Sequence, residues 1–272
     1  MKTLIVATDF SKEAENSLIY ACELARKLNA GIVLFNSFSL SVSSSNSLIS
    51  ASAFQELLDH NRSLLKAQSI KLSETYGIEV TIETGFMDFS RELDELIEKY
   101  DAALLVMGMA PRSVEQDIFG NSTTATIMKL KYPVLAVPLE SKFNGIKKIL
   151  FAYDEIDNRE LIEKIKNLAV ALDATVEIFH VAKRIDAIDS EFKTVEAASV
   201  LEEVLKEVPH YYKNVESDKV VKVIEGEVLN IKADLLIMVP QKHGFLESII
   251  HRSKTRIMAS NNNVPLLSIP IV

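Results

Sequence analysis

Two places in this 272-residue chain carry residue types suited to a hydroxylated or phosphorylated ligand. The first is the end of an apolar run, Ala7-Thr8-Asp9-Phe10-Ser11. A carboxylate at such a tip can accept hydrogen bonds from a ribose hydroxyl. Asp9 or Ser11 can equally cap the helix that follows, since both types are favoured there. The second place runs from Gly108-Met109-Ala110-Pro111-Arg112-Ser113 to Phe119-Gly120-Asn121-Ser122-Thr123-Thr124. A glycine followed by small hydroxyl residues at a helix start offers free backbone N–H groups and the positive end of the helix dipole to an anion. Plain capping by Asn121 or Ser122 produces the same pattern, and both readings stand at this point.

The elements that must position these residues occur twice. Lys2-Thr3-Leu4-Ile5-Val6-Ala7-Thr8-Asp9 is echoed by Lys147-Lys148-Ile149-Leu150-Phe151-Ala152-Tyr153-Asp154. Each is followed by a helical pattern, carried by Leu18, Ala21, Cys22 and Ala25 in one half and by Leu161, Ile165, Leu168 and Leu172 in the other. Leu104-Leu105-Val106-Met107 matches Leu235-Leu236-Ile237-Met238, and the Pro133–Pro138 run matches Pro265–Pro270. A helix is expected before each closing run, over 120–131 and 249–261. The repeat divides the chain into domains at 1–140 and 146–272, with a linker near Ser141-Lys142-Phe143-Asn144-Gly145.

The strand-length runs are apolar nearly throughout and alternate with helical patterns, the signature of a parallel sheet covered on both faces. The expected fold is therefore α/β, two tandem doubly wound, five-stranded Rossmann-like domains. Ligands in such sheets bind beyond the carboxyl ends of the strands, where both candidate places lie. Pairing Gly85 with Gly226 leaves only Glu227–Asp234 for the crossover before strand four of the second half. That predicts a helix reduced to a turn and one thinly covered sheet face. The segment Ser37–Ser47 is serine-rich and reads as a flexible connection on the ligand side.

A formal net charge of −8 argues against a broad basic surface for nucleic acid or an anionic membrane. One cysteine, Cys22, excludes an internal disulfide and falls in the apolar register of a helix. The first apolar run is too short for a secretory signal and ends in an acid, and no run is long enough to span a bilayer. A cytoplasmic protein is expected.

Taken as two copies, nearly the whole chain resembles the universal stress protein family. Asp9-Phe10-Ser11, Met107-Gly108, Phe119-Gly120 and Pro133-Val134 carry the likeness in the right order. The resemblance implies an Asp after strand one and a Gly-x2-Gly-x9-Gly-Ser/Thr loop after strand four. It further implies ATP or AMP as ligand, magnesium accompanying ATP. It assigns Asp9 to the ribose, Gly108 to close backbone approach, and Gly120, Asn121, Ser122 and Thr123 to the phosphates, with Arg112 adding charge. Pro111 stands where the loop's second glycine is expected, and eleven residues rather than twelve separate Gly108 from Gly120. In the second half Val239 and Arg252 take the places of Gly108 and Gly120, so that site is degenerate. His251 beside it has no nucleophile in recognisable spacing and reads as surface or packing.

The expected function is a non-enzymatic, nucleotide-binding stress or regulatory protein, at most a slow ATPase, with no metal-binding acid pair. The closing strands carry the family's dimerisation surface, so an intrachain pseudo-dimer is expected and a homodimer is compatible with it. A nucleotide-free interaction scaffold is the alternative. A pyrophosphatase or adenylyl transferase is disfavoured, because the first strand's turn lacks glycine and no Walker or His-x-x-His motif occurs.

Overall fold

The computed structural model describes residues 2–38, 50–86, 88–109, 131–153, 158–182, 199–240 and 264–271. They fall into two compact units, Met1–Met109 and Ala110–Val272.

In the first unit, β1 (Lys2–Ala7), α1 (Lys12–Leu28), β2 (Ala30–Phe38), α2 (Ala51–Tyr76), β3 (Val80–Phe86), α3 (Phe89–Tyr100) and β4 (Ala102–Met109) alternate along the chain. The strands lie in the order β3-β2-β1-β4, with parallel pairing throughout. β1 and β2 are buried because they are apolar on both faces: Leu4, Ile5, Val6, Ile32, Val33, Leu34 and Phe35 are all 2% exposed or less. Right-handed crossovers then place α1 and α2 on one face and α3 on the other.

Helix ends follow local chemistry. Ser11 caps α1, acidic Glu13 and Glu15 occupy its first turn, and Arg26 and Lys27 its last, all complementary to the dipole. Asn29 then closes α1 in the left-handed region, a conformation asparagine tolerates better than most residues. Asp88 caps α3 in the same way as Ser11 caps α1.

The second unit holds β5 (Val134–Pro138), β6 (Lys148–Tyr153), α4 (Arg159–Leu172), β7 (Thr175–Ala182), β8 (His210–Glu216), α5 (Val220–Ile231), β9 (Leu235–Met238) and β10 (Leu266–Ser268). Residues 199–204 are also helical and lead towards β8. The order is β5-β10-β9-β6-β7-β8. Among these strands β8-β7-β6-β9 repeats the arrangement β3-β2-β1-β4, and β6 to β10 pair in parallel. β5 alone runs antiparallel, with Leu135 opposite Leu267. This pairing draws β5 into the second unit. The packing division therefore falls at Met109/Ala110, ahead of the repeat boundary read near Ser141–Gly145.

The expectation of a reduced crossover helix in the second half is wrong. α5 has 12 residues, as many as α3, and packs on β6 and β7. Register gives the reason. Ser37 faces Gly85, and the equivalent Val181 faces Val215, so Gly85 corresponds to Val215. Gly226 lies inside α5. The β-branched run Val220-Val221-Lys222-Val223-Ile224 imitates a strand but is the start of that helix. The closing helices fall almost wholly on 110–130 and 241–263, and the serine-rich segment mostly on 39–49, outside the described residues.

Candidate functional site

The carboxyl ends of β1, β2 and β4 meet the first turn of α1. Thr8 N–H donates to Phe35 O at 2.8 Å, carrying the β1–β2 ladder one residue beyond β1. Asn36 Nδ2 donates to Thr8 O at 2.7 Å and ties the two strand tips together. The chain then turns sharply. Phe10 N–H donates to Thr8 Oγ1 at 3.1 Å, and Ser11 N–H to Asp9 Oδ1 at 3.0 Å. Phe10 itself adopts φ 62°, a left-handed conformation that costs a bulky side chain about 1–2 kcal/mol. Two side-chain acceptors hold that strained residue in place.

Ser11 Oγ accepts from Ala14 N–H at 3.2 Å, which makes Ser11 the helix cap. Asp9 is thereby spared that task. Its carboxylate stands exposed at the strand tip, one oxygen bracing the turn and the group open to solvent. Among the described residues, no cluster of three His, Cys, Asp or Glu side chains could hold a metal ion.

Gly108 acts through packing. A Cβ there would lie 2.5 Å from Glu13 O and 2.9 Å from Ala14 N, both main-chain atoms. Glycine lets the end of β4 lie against the first turn of α1, which brings β4's exit beside Asp9's turn. Arg112, Gly120, Asn121, Ser122 and Thr123 lie outside the described residues, as do His251 and Arg252 of the second half. The structure thus brings Asp9 and Gly108 to one place.

It also adds residues that the sequence reading passed over. Asn36 is 5% exposed, and its Oδ1 has no hydrogen-bond partner among the described residues. It is a buried acceptor one strand over from Asp9's turn. A polar residue ending the run Ile32-Val33-Leu34-Phe35 was the available signal. Glu92, in the first turn of α3, accepts from Ser37 Oγ at 2.6 Å and Phe86 N–H at 2.5 Å, clamping the ends of β2 and β3. Gly85 makes room for that clamp, since a Cβ there would strike the Glu92 carboxylate.

Register defines the same positions in the second half. Ala7 faces Phe35 and Ala152 faces Phe179, so Thr8 corresponds to Tyr153 and Asn36 to His180. Val6 faces Val106 and Phe151 faces Ile237, which makes Val239 the counterpart of Gly108. Tyr153 stacks on Phe151 at 5.6 Å and on His180 at 5.1 Å between ring centroids. Burial pushes the Tyr153 phenol up to about 12, so it stays neutral. Rings occupy the tips where the first half keeps small polar groups.

The Universal stress protein family profile matches residues 1–138. A universal stress protein of Synechocystis is 25% identical over 298 residues, spanning 98% of this chain and 99% of its own. A crystal structure of a universal stress protein from Archaeoglobus fulgidus superposes with a TM-score of 0.74 at 15% identity, covering 98% of this chain and 97% of that one. A putative universal stress protein from Pseudomonas aeruginosa gives 0.58 at 13% identity, covering 99% and 93%. These structures share the fold of both halves.

Proposed function

The chain belongs to the universal stress protein family, and from that premise we propose that its first half binds an adenine nucleotide, ATP or AMP, as the input of a stress-response regulator. The observation that carries this reading is the contrast at the strand tips. Thr8 and the buried acceptor of Asn36, beside exposed Asp9, stand where the second half stacks Tyr153 on His180. Asp9 would take the ribose. The backbone after Gly120, with Asn121, Ser122, Thr123 and Arg112, would take the phosphates, and magnesium would accompany ATP. Hydrolysis would be slow at most. Output would pass through association. The antiparallel pairing of β5 with β10 supports closing strands that join as an intrachain pseudo-dimer, in a cytoplasmic protein that could pair further with a second copy.

Calorimetric titration with ATP, ADP and AMP in magnesium buffer tests the reading, beside a Gly120→Arg variant that copies the second half. One nucleotide per chain is expected, abolished in the variant. No heat at millimolar nucleotide, from protein shown free of carried-over ligand, would overturn it. Pro111 and the shortened loop favour a second reading in that event: a nucleotide-free scaffold of the same fold.

A further inference from the structure

The second unit buries a carboxyl group that the nucleotide reading does not use. Glu177 lies on β7, between Leu150 of β6 and Tyr211 of β8, and is 1% exposed. Neither of its carboxyl oxygens has a hydrogen-bond partner among the described residues. Tyr211 and Lys213 of β8 face it, and so does Glu227 of α5, itself only 7% exposed. β6 contributes apolar Leu150 alongside it. Among the described residues, the one cation in the group is already engaged: Lys213 Nζ donates to Glu227 Oε2 at 2.5 Å. Asn230 Nδ2 completes the arrangement by donating to Glu227 Oε1 at 2.8 Å. Among the described residues Glu177 is left with no counter-charge of its own.

The geometry points to a pH-sensitive latch: Glu177 is held beneath α5 as a neutral acid, and its ionisation at rising pH loosens α5 from the second sheet. An unpaired carboxylate at that depth is expensive, and the group stays neutral instead. Burial pushes the Glu177 carboxyl above its ordinary value, Tyr211 and Lys213 pull it back, and the charge of Glu227 adds to the rise. Burial works the same way on Glu227, but the bonds from Lys213 and Asn230 hold it below the ordinary value. Proton loss from Glu177 would therefore set a second negative charge against an existing one across the α5–β7 contact.

α5 is also weakly held at its own ends. It has no side-chain cap at Lys219, no acid in its first turn, no base in its last, and Gly226 in its interior. Its attachment rests on Val220, Val221, Ile224 and Val228, and on the polar group around Glu227.

The direction with pH follows from linkage. Glu177 has a raised folded value, so its contribution is complete below the unfolded carboxylate range and is lost as pH climbs through the folded value. Glu227 has a lowered folded value, so its contribution is present above the unfolded range and is lost as pH falls through the folded one. The second unit is then most stable between the two. Above that point the opening equilibrium of α5 should shift roughly tenfold per pH unit until Glu177 is fully ionised.

Amide hydrogen exchange on the full chain between pH 5 and 9, corrected for intrinsic rates, tests the latch. Protection of residues 220–231 should fall as pH rises, while peptides from β1 and β2 stay level. In Glu177→Gln the fall should vanish and protection at pH 9 should exceed wild type. Flat or rising wild-type protection would overturn the proposal. So would a Gln variant that loses protection yet keeps the slope, since Glu177 would then be ionised and paired with Lys213. Carbon-13 NMR of the Glu177 carboxyl in the wild-type chain decides the matter even if the variant fails to fold. A midpoint above the ordinary glutamate value is expected, and one at or below it would sink the latch.

Discussion

At the carboxyl ends of β1, β2 and β4 stand Thr8, Asn36 and Gly108; the equivalent ends of β6, β7 and β9 carry Tyr153, His180 and Val239. One backbone plan supports both sets. The first keeps small polar groups joined by the Asn36–Thr8 hydrogen bond, and the second fills the same positions with stacked rings. The halves thus differ by a few side chains at the strand ends rather than in backbone plan. The interiors differ in the opposite sense. Val33 of β2 is a buried valine between Ile5 of β1 and Thr81 of β3, whereas its counterpart Glu177 is a buried acid. Among the described residues, the buried acids Glu177 and Glu227 both lie in the half with the filled tips.

The strongest way to break this comparison is to move the acid across. Val33→Glu would put a carboxyl at a position 1% exposed, where β3 offers Thr81 and Glu83 in the places of Tyr211 and Lys213. A loss of about 3 kcal/mol or more is expected at pH 7, measured by urea unfolding of the first unit. A loss below about 1 kcal/mol would mean that this position accepts an acid without help, and Glu177 would need no special surroundings.

Moving Val239's side chain to the first half should have a smaller effect. In Gly108→Val the new Cβ meets Glu13 O, a main-chain atom that no rotamer change can clear. A cost of about 2 kcal/mol is expected from overpacking between β4 and α1, again read from urea unfolding. A near-neutral result would show that the end of β4 slides away from α1 freely, and that Gly108 does not set the geometry around Asp9's turn.

These positions were unequally legible in the sequence. The tandem repeat and the parallel sheets could be read because β1, β2, β4, β6, β7 and β9 are apolar runs with little ambiguity. β8 could not. His210-Tyr211-Tyr212-Lys213-Asn214-Val215-Glu216 lies at the end of the strand order and needs few apolar residues, while the start of α5 has the β-branched look of a strand. That exchange displaced the second half's crossover and produced a missing helix. At the site, Asp9 and Gly108 were visible as types in the right place. Only hydrogen bonds show that Ser11 caps α1 and frees Asp9, and only packing shows that Gly108 answers to Glu13. Asn36 and Glu177 were hidden for one reason: a single polar residue in or beside an apolar run carries no periodic signal, and its meaning lies in what faces it from other elements.

The smallest expected effect concerns the two equivalent helices, α3 and α5. Asp88 Oδ1 accepts from Arg91 N–H at 3.2 Å, while Lys219, at the same point before α5, supplies no cap. The backbones agree in φ, −118° at Asp88 and −108° at Lys219, and differ in ψ, 81° against 52°. Lys219→Asp should let a carboxylate reach the first turn of α5 and replace a cation that opposes the helix dipole. A gain of about 0.5–1 kcal/mol is expected, seen as slower exchange of α5 amides at fixed pH. Asp88→Ala should lose about 1 kcal/mol from the first unit and serves as the reference for a working cap. If Asp88→Ala costs that much and Lys219→Asp brings nothing, the difference in ψ directs the new side chain away from the helix start. The weak hold on α5 would then lie in its interior, at Gly226 and the polar contact around Glu227, rather than at its first turn.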